Sequence, residues 1–519
     1  MASLRRTSLY ASISALAVTA GLLAPMSSAA ESEATVTDGC VTSVSDPDTP
    51  GPVQICYTMF KPAGATAKQQ VPILLEGHGW GGSRTTDPAV FAPYLSHGYG
   101  VISFDQRGFG DSGGKAQTMD PDVEGVDVRK LIDLAAAQPW VLKDRPGDPR
   151  IGAIGGSYGG GYQYVGAFSE IAATGRTRFD ALAPQYTWFD INEALAPQGV
   201  PRSEWLAVLV AVAQPSQALP DHVMQSFAEG TATGGYPESQ RAFYANNGPA
   251  FHIAKGRRLD IPVLVRQGIS DNLFNFNNAL KNLTGLTPRA RARSVVVGFH
   301  GGHALPALLP RGSHAGQPAA LGEDGTDPCS TELQGGKGDY TSLQVRFFDV
   351  HLKKMKGIVP GEGRYALITP DGGCLQTTQL GKNKSYSAGT INAPVAASGP
   401  TQFVPLGTGP VDIAGTPYVR AKVTTLTPDA RAFFALAVGT SPADATIVDS
   451  NVLPLREAVA VSAAPRRIEL PAVAIKVPAG QQLFLAVTPF AEMYGGATSR
   501  VPGLMTLSDA MVDVPVLTR

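Results

Sequence analysis

Between residues 71 and 297, short apolar runs alternate with stretches of helical periodicity. Residues 71–75, 100–104, 151–154, 261–265 and 294–297 are dominated by Val, Ile, Leu and Phe, are too short for helices, and read as buried strands. Residues 126–137 repeat apolar side chains three and four apart, the spacing of one helix face. Strands separated by helices predict a parallel sheet with right-handed crossovers. Between about 185 and 259 the rhythm breaks into irregular helical segments with Trp188, Trp205 and several prolines. Inserted between two sheet strands, this stretch predicts a cap over the strand C-termini. A helical stretch at 342–356 stops at Gly357. From about 365 the chain turns to short alternating runs rich in Val, Thr, Pro and Gly, such as 431–438 and 483–487, which predict an all-β sandwich. The expected division is an α/β domain over 31–360, with its cap at 185–259, and a β-sandwich over 361–519.

The first 30 residues have a different pattern. Arg5 and Arg6 precede an apolar stretch over 9–23, and Ser28 and Ala30 occupy the −3 and −1 positions of a cleavage site. This is an export signal, with the mature chain expected to start at Glu31. The alternative, an uncleaved anchor, needs roughly 20 apolar residues, more than this run supplies. No later stretch is long and apolar enough to cross a membrane. The even count of four cysteines suits an oxidising compartment. Of the three possible pairings, proximity in sequence favours Cys40–Cys56 and Cys329–Cys374. Neither pair has C-x-x-C spacing, so no metal site is expected. A formal net charge of −1, without basic block or acidic tail, leaves nucleic acid and charged membrane surfaces out of the expected partners. The acidic residues over 323–327 read as a solvated loop.

Two segments match G-x-S-x-G, one centred on Ser157 and one on Ser112. Ser157 follows the strand at 151–154 and precedes a helix-compatible run at 162–170. That strand–turn–helix context is what a nucleophile elbow requires. Ser112 lies in Asp105-Gln106-Arg107-Gly108-Phe109-Gly110-Asp111-Ser112, a D-x-R-G-x-G-x-S loop that reads as a structural turn. The strand at 71–75 runs into Glu76-Gly77-His78-Gly79-Trp80. The backbone N–H groups of Trp80 and of Tyr158 are the expected oxyanion donors, and His78 is expected to organise the loop. The strand at 261–265 leads to Asp271, the expected acid. The strand at 294–297 leads to His300 and His303. His303 follows two glycines that let the loop turn back, and is expected to be the general base, with His300 as the alternative.

With these segments in order, the chain resembles the α/β-hydrolases of the X-prolyl dipeptidyl-peptidase and cocaine esterase-like family. The resemblance rests on Asp105-Gln106-Arg107-Gly108, Gln138-Pro139-Trp140, Arg150-Ile151-Gly152, Gly156-Ser157-Tyr158-Gly159-Gly160 and Phe348-Asp349-Val350-His351. It implies an α/β-hydrolase sheet with a helical cap insertion, followed by a jelly-roll-like sandwich. The chain departs from the family where Gly298-Phe299-His300 stands in place of Gly-Pro-Trp. The expected function is hydrolysis of an ester or amide, including X-Pro dipeptide release, through an acyl-serine. Small esters or peptides are the expected substrates, with no cofactor. The competing expectations are a silent scaffold that binds a partner, and an acyltransferase on the same triad.

Overall fold

The computed structural model describes residues 34–303 and 327–518. The expected export signal at 1–30 and residues 323–326 of the acidic loop lie outside them. Ten strands form the first sheet: β1 (Thr35–Ser43), β2 (Val53–Lys61), β3 (Ile73–Gly77), β4 (Gly100–Phe104), β5 (Ile151–Gly156), β6 (Phe179–Gln185), β7 (Leu264–Gly268), β8 (Val295–Phe299), β9 (Tyr365–Ile368) and β10 (Cys374–Thr377). Their order is β1-β2-β4-β3-β5-β6-β7-β8-β9-β10. From β4 to β9 all pairings are parallel, while β1–β2, β2–β4 and β9–β10 are antiparallel. Every residue of β4 and of β8 is buried, which is why these strands read as continuous apolar runs without alternation. Helices α1 (Glu124–Ala137) and α2 (Tyr158–Thr174) pack together, with Val128 filling the space that Gly166 leaves.

The chain steps from β3 to β4 on one side, then to β5 on the other. The order therefore reverses between β3 and β5, and a crevice forms at their C-terminal ends. The cap runs between β6 and β7, and its longest helices are α3 (Ser203–Ala213) and α4 (Asp221–Thr233). After β8, helix α5 (Tyr340–His351) lays Phe348 over Gly152 of β5.

Some strands differ from the sequence expectation. Pairing at 261–265 is displaced toward Leu264–Gly268, because Pro262 has no N–H to give the ladder. β6 escaped the pattern because Asp180 and Pro184 interrupt its apolar run. The expected boundary at 360/361 falls before β9 and β10, which complete the first sheet and carry it to Thr377. From Lys382 onward the strands are antiparallel and form two sheets of six and five. Their facing side chains, among them Ile413, Val423, Phe434, Leu485 and Leu507, make a core of their own. Among the described residues no helix is long and apolar enough to cross a membrane.

Both cysteine pairs are disulfides. Cys40 lies directly opposite Cys56 in the β1–β2 ladder, and Cys329 of helix Pro328–Leu333 is joined to Cys374 of β10. The denatured protein, alkylated without reductant, should carry no label on any cysteine by mass spectrometry. Two or more alkylated cysteines would contradict the pairing.

Candidate active site

Ser157 sits between the end of β5 and the start of α2 with φ 57° and ψ −121°. A positive φ is costly for a residue with a Cβ and persists only where the surroundings enforce it. Here glycines do so. A Cβ at Gly155 or Gly159 would strike the carbonyl oxygen of Gly77 at the end of β3, and one at Gly156 would strike the ring of Tyr186. The Ser157 N–H is held by the carbonyl of Gln185 at 3.0 Å.

His303 approaches from the loop after β8. Its Nε2 lies 2.7 Å from Ser157 Oγ, and its Nδ1 lies 2.8 Å from Asp271 Oδ2. Asp271 is fully buried. Its Oδ2 also accepts the His303 N–H at 3.0 Å, while Oδ1 accepts the N–H groups of Leu273 and Phe274 at 2.9 and 2.7 Å. The loop reaches this position because Gly302 has φ 95° and no Cβ to collide with the Asp271 carboxylate. Ser157, His303 and Asp271 are thus brought together from the ends of three strands.

Tyr158 is the first residue of α2, so its N–H has no acceptor within the helix. Gly79 and Trp80 lie beside it in the loop after β3. The Trp80 ring meets the Tyr158 ring edge-on at 4.9 Å, and its indole N–H donates to Leu209 O of α3 at 2.9 Å. His78 is committed to this loop. Its Nε2 accepts the Gln106 N–H at 3.0 Å, so Nδ1 carries the proton it donates to Gly79 O at 2.7 Å. Burial pushes its pKa down, which favours this neutral form.

The other two candidates lie apart from this group. The Ser112 hydroxyl donates to Asp105 O at 2.7 Å and accepts the Cys56 N–H at 2.8 Å. His300 is buried against the sandwich, 3.2 Å from Thr369 O and 3.9 Å from an Asp449 carboxylate oxygen. Among the described residues no His, Cys, Asp and Glu cluster could hold a metal ion.

Residues 51–304 match the family described as X-Pro dipeptidyl-peptidase (S15 family). Over 93–94% of the chain the fold is similar to solved hydrolases. A CocE/NonD family hydrolase from Staphylococcus aureus is 13% identical, with 93% of this chain and 94% of that one covered at a TM-score of 0.64. This chain has the α/β-hydrolase fold, and its residues 51–304 resemble the X-Pro dipeptidyl-peptidase family. An α-amino acid ester hydrolase is 14% identical, with 94% and 98% covered at a TM-score of 0.59. An aminopeptidase from a marine sediment Thaumarchaeota archaeon is 13% identical, with 94% and 97% covered at a TM-score of 0.62. At such identities these likenesses carry the fold alone. A 31.7 kDa Escherichia coli protein from the traX-finO intergenic region is 32% identical over 97 residues, 18% of this chain. The chain spans about a third of the length of that curated relative, 32%.

Several residues around the hydrolase site gave no signal in the sequence. Trp205 of α3, Tyr186 after β6 and Phe274 surround the His303 ring edge-on at 5.7, 5.5 and 4.9 Å. Trp205 Nε1 donates to Asn272 Oδ1 at 2.7 Å, and buried Arg202 donates to Asn272 O at 2.8 Å. From the sandwich, Asn451 Nδ2 donates to Asp271 O at 3.0 Å. These segments are far apart in the chain, so no local spacing connects them.

Glu76, at the end of β3, is held by the Ser103 hydroxyl at 2.5 Å, and burial raises its pKa to about 7. A raised carboxyl pKa adds stability that is complete below the unfolded value near 4.5 and is lost as pH rises through about 7. Glu76→Gln should therefore flatten the fall in Tm between pH 4.5 and 7, and an unchanged slope would refute this. Gly159 bears on the elbow itself. Gly159→Ala should cost about 2 kcal/mol or more in urea unfolding, because a backbone oxygen cannot move aside as a side chain can.

Proposed function

We propose that this chain is a secreted serine hydrolase that cleaves ester or amide bonds through an acyl-serine intermediate. The observation that carries the reading is the unbroken contact from Ser157 Oγ through His303 to Asp271, at 2.7 and 2.8 Å. Ser157 Oγ attacks the substrate carbonyl while His303 Nε2 takes its proton. The N–H groups of Trp80 and Tyr158 receive the oxyanion as it forms. His303 then returns the proton to the leaving group, and a water molecule repeats the sequence to release the acid. Asp271 holds the imidazole by its Nδ1–H, and the three aromatic rings around His303 limit its swing and keep bulk water away. The reaction needs no metal or organic cofactor in any step. The two disulfides and the leader-like pattern of the first 30 residues support an extracytoplasmic location.

Two comparisons test the assignment. Ser157→Ala should abolish labelling by a fluorophosphonate, while Ser112→Ala should still be labelled. Label on the Ser157→Ala protein would refute the nucleophile. His303→Ala should lower kcat on p-nitrophenyl acetate by about 10³-fold or more. His300→Ala, matched for folding by circular dichroism, should lower it far less. The reverse order would move the base to His300.

A further inference from the structure

A cavity of about 280 Å³ opens from Ser157 and runs beneath the cap. It is bounded chiefly by Trp188, Leu206, Leu209, Leu219, Val223 and Phe227. None of the described residues that line it carries a charge. Its roof is α3, whose sequence SEWLAVLVAVA is apolar on every face after the first turn. One face lines the cavity through Leu206 and Leu209, and another rests on the loop after β3, where Val212 crosses Gly81. Val212 remains 43% exposed, so the apolar surface continues outward from the cavity.

The carboxylates of the cap do not face this space. Asp190 caps the short helix Ile191–Leu195 by accepting the Asn192 and Glu193 N–H groups. Glu193 accepts the Gln198 N–H, and Asp221 stands exposed at the start of α4. Glu204 turns toward Glu492 of the sandwich, where burial and that like charge raise its pKa to about 7. An ammonium group entering the cavity would shed its water and meet only hydrocarbon, hydroxyl and amide groups, which disfavours it. A hydrocarbon chain gains about fourfold in binding for each methylene it buries there.

We propose that the cavity receives a neutral hydrocarbon group, so that the substrate is a lipophilic ester whose part seated beneath the cap carries no free amine. The proposal rests on the serine-hydrolase reading above and narrows it. The hydrocarbon can be the acyl chain or the alkyl chain of the alcohol, and the two are separable by experiment.

The wild-type enzyme is assayed on p-nitrophenyl esters from acetate to decanoate and on acetates of alcohols from ethanol to decanol. We expect kcat/KM to rise at least tenfold with length in one series. A rise in the first series places the acyl chain in the cavity, and a rise in the second places the alkyl chain there. Flat or falling profiles in both series overturn the proposal. Phe227→Glu should lower the ratio of long-chain to acetate kcat/KM at least tenfold, and an unchanged ratio would count against the cavity. Should that variant not fold, the wild-type profiles decide alone. Acetate turnover that depends on Ser157 but shows flat profiles sinks only this proposal. Loss of all ester turnover together with absent fluorophosphonate labelling would sink the hydrolase reading itself.

Discussion

The structure depends on one close approach of backbone to backbone. The carbonyl of Gly77, at the end of β3, lies where Cβ atoms of Gly155 and Gly159 would be. This approach brings the loop after β3 against the turn after β5, across the point where the strand order reverses. It also accounts for the strain at Ser157. With β3 on one side and the Tyr186 ring filling the space beside Gly156, the turn has no room to relax to a negative φ. The hydroxyl is consequently presented above the sheet, within reach of a histidine carried by a strand three positions away.

The loop that carries the second G-x-S-x-G supports this arrangement from behind. Arg107 is fully buried and pairs with Asp46 and with both oxygens of Asp127 at 2.7–2.9 Å. Removing either carboxylate would leave part of a buried charge unpaired, the costly way to break such a pair. Arg107 thereby ties together the β1–β2 connection, its own loop and α1. Asp105 accepts the Arg84 and Asp111 N–H groups at 2.6 and 2.9 Å, and Gln106 fixes the tautomer of His78. The Asp-Gln-Arg-Gly segment thus sets the shape of the loop after β3. The acid loop is braced in the same indirect way, by Arg202 and Trp205 from the cap and by Asn451 from the sandwich. The sandwich contains no histidine, yet it touches the site through Asn451 and supplies Gly495 and Gly496 to the cavity wall.

What the sequence made legible follows from what is local. The elbow could be read because the glycines around Ser157 and the strand before it are contiguous. The His303 loop could be read because Gly301 and Gly302 adjoin it. The same logic separated Ser157 from Ser112, which share a motif but differ in backbone, since the Ser112 hydroxyl is spent on Asp105 O and the Cys56 N–H. β6 was not legible, because its burial comes from neighbours on both sides and not from its own alternation, and Pro184 argues against a central strand. The rings around His303 were not legible either. Tyr186, Trp205 and Phe274 come from three separate segments, and an aromatic residue in a cap carries no mark of what it will face.

The cavity and the triad impose opposite demands, and the fold separates them by a short distance. In the proposed reaction charge develops at the substrate carbonyl, which requires fixed donors in a dry setting. The cap supplies that dryness with apolar side chains, and Trp80 joins the two regions. Its backbone belongs to the loop after β3, its ring packs on Tyr158, and its indole N–H is used up on Leu209 O. No polar atom of that side chain is left to hydrate the cavity. Substitutions in α3 should therefore reach the chemistry through Trp80 as well as through the cavity wall. The helix that roofs the cavity is the same one that holds the loop after β3 in place.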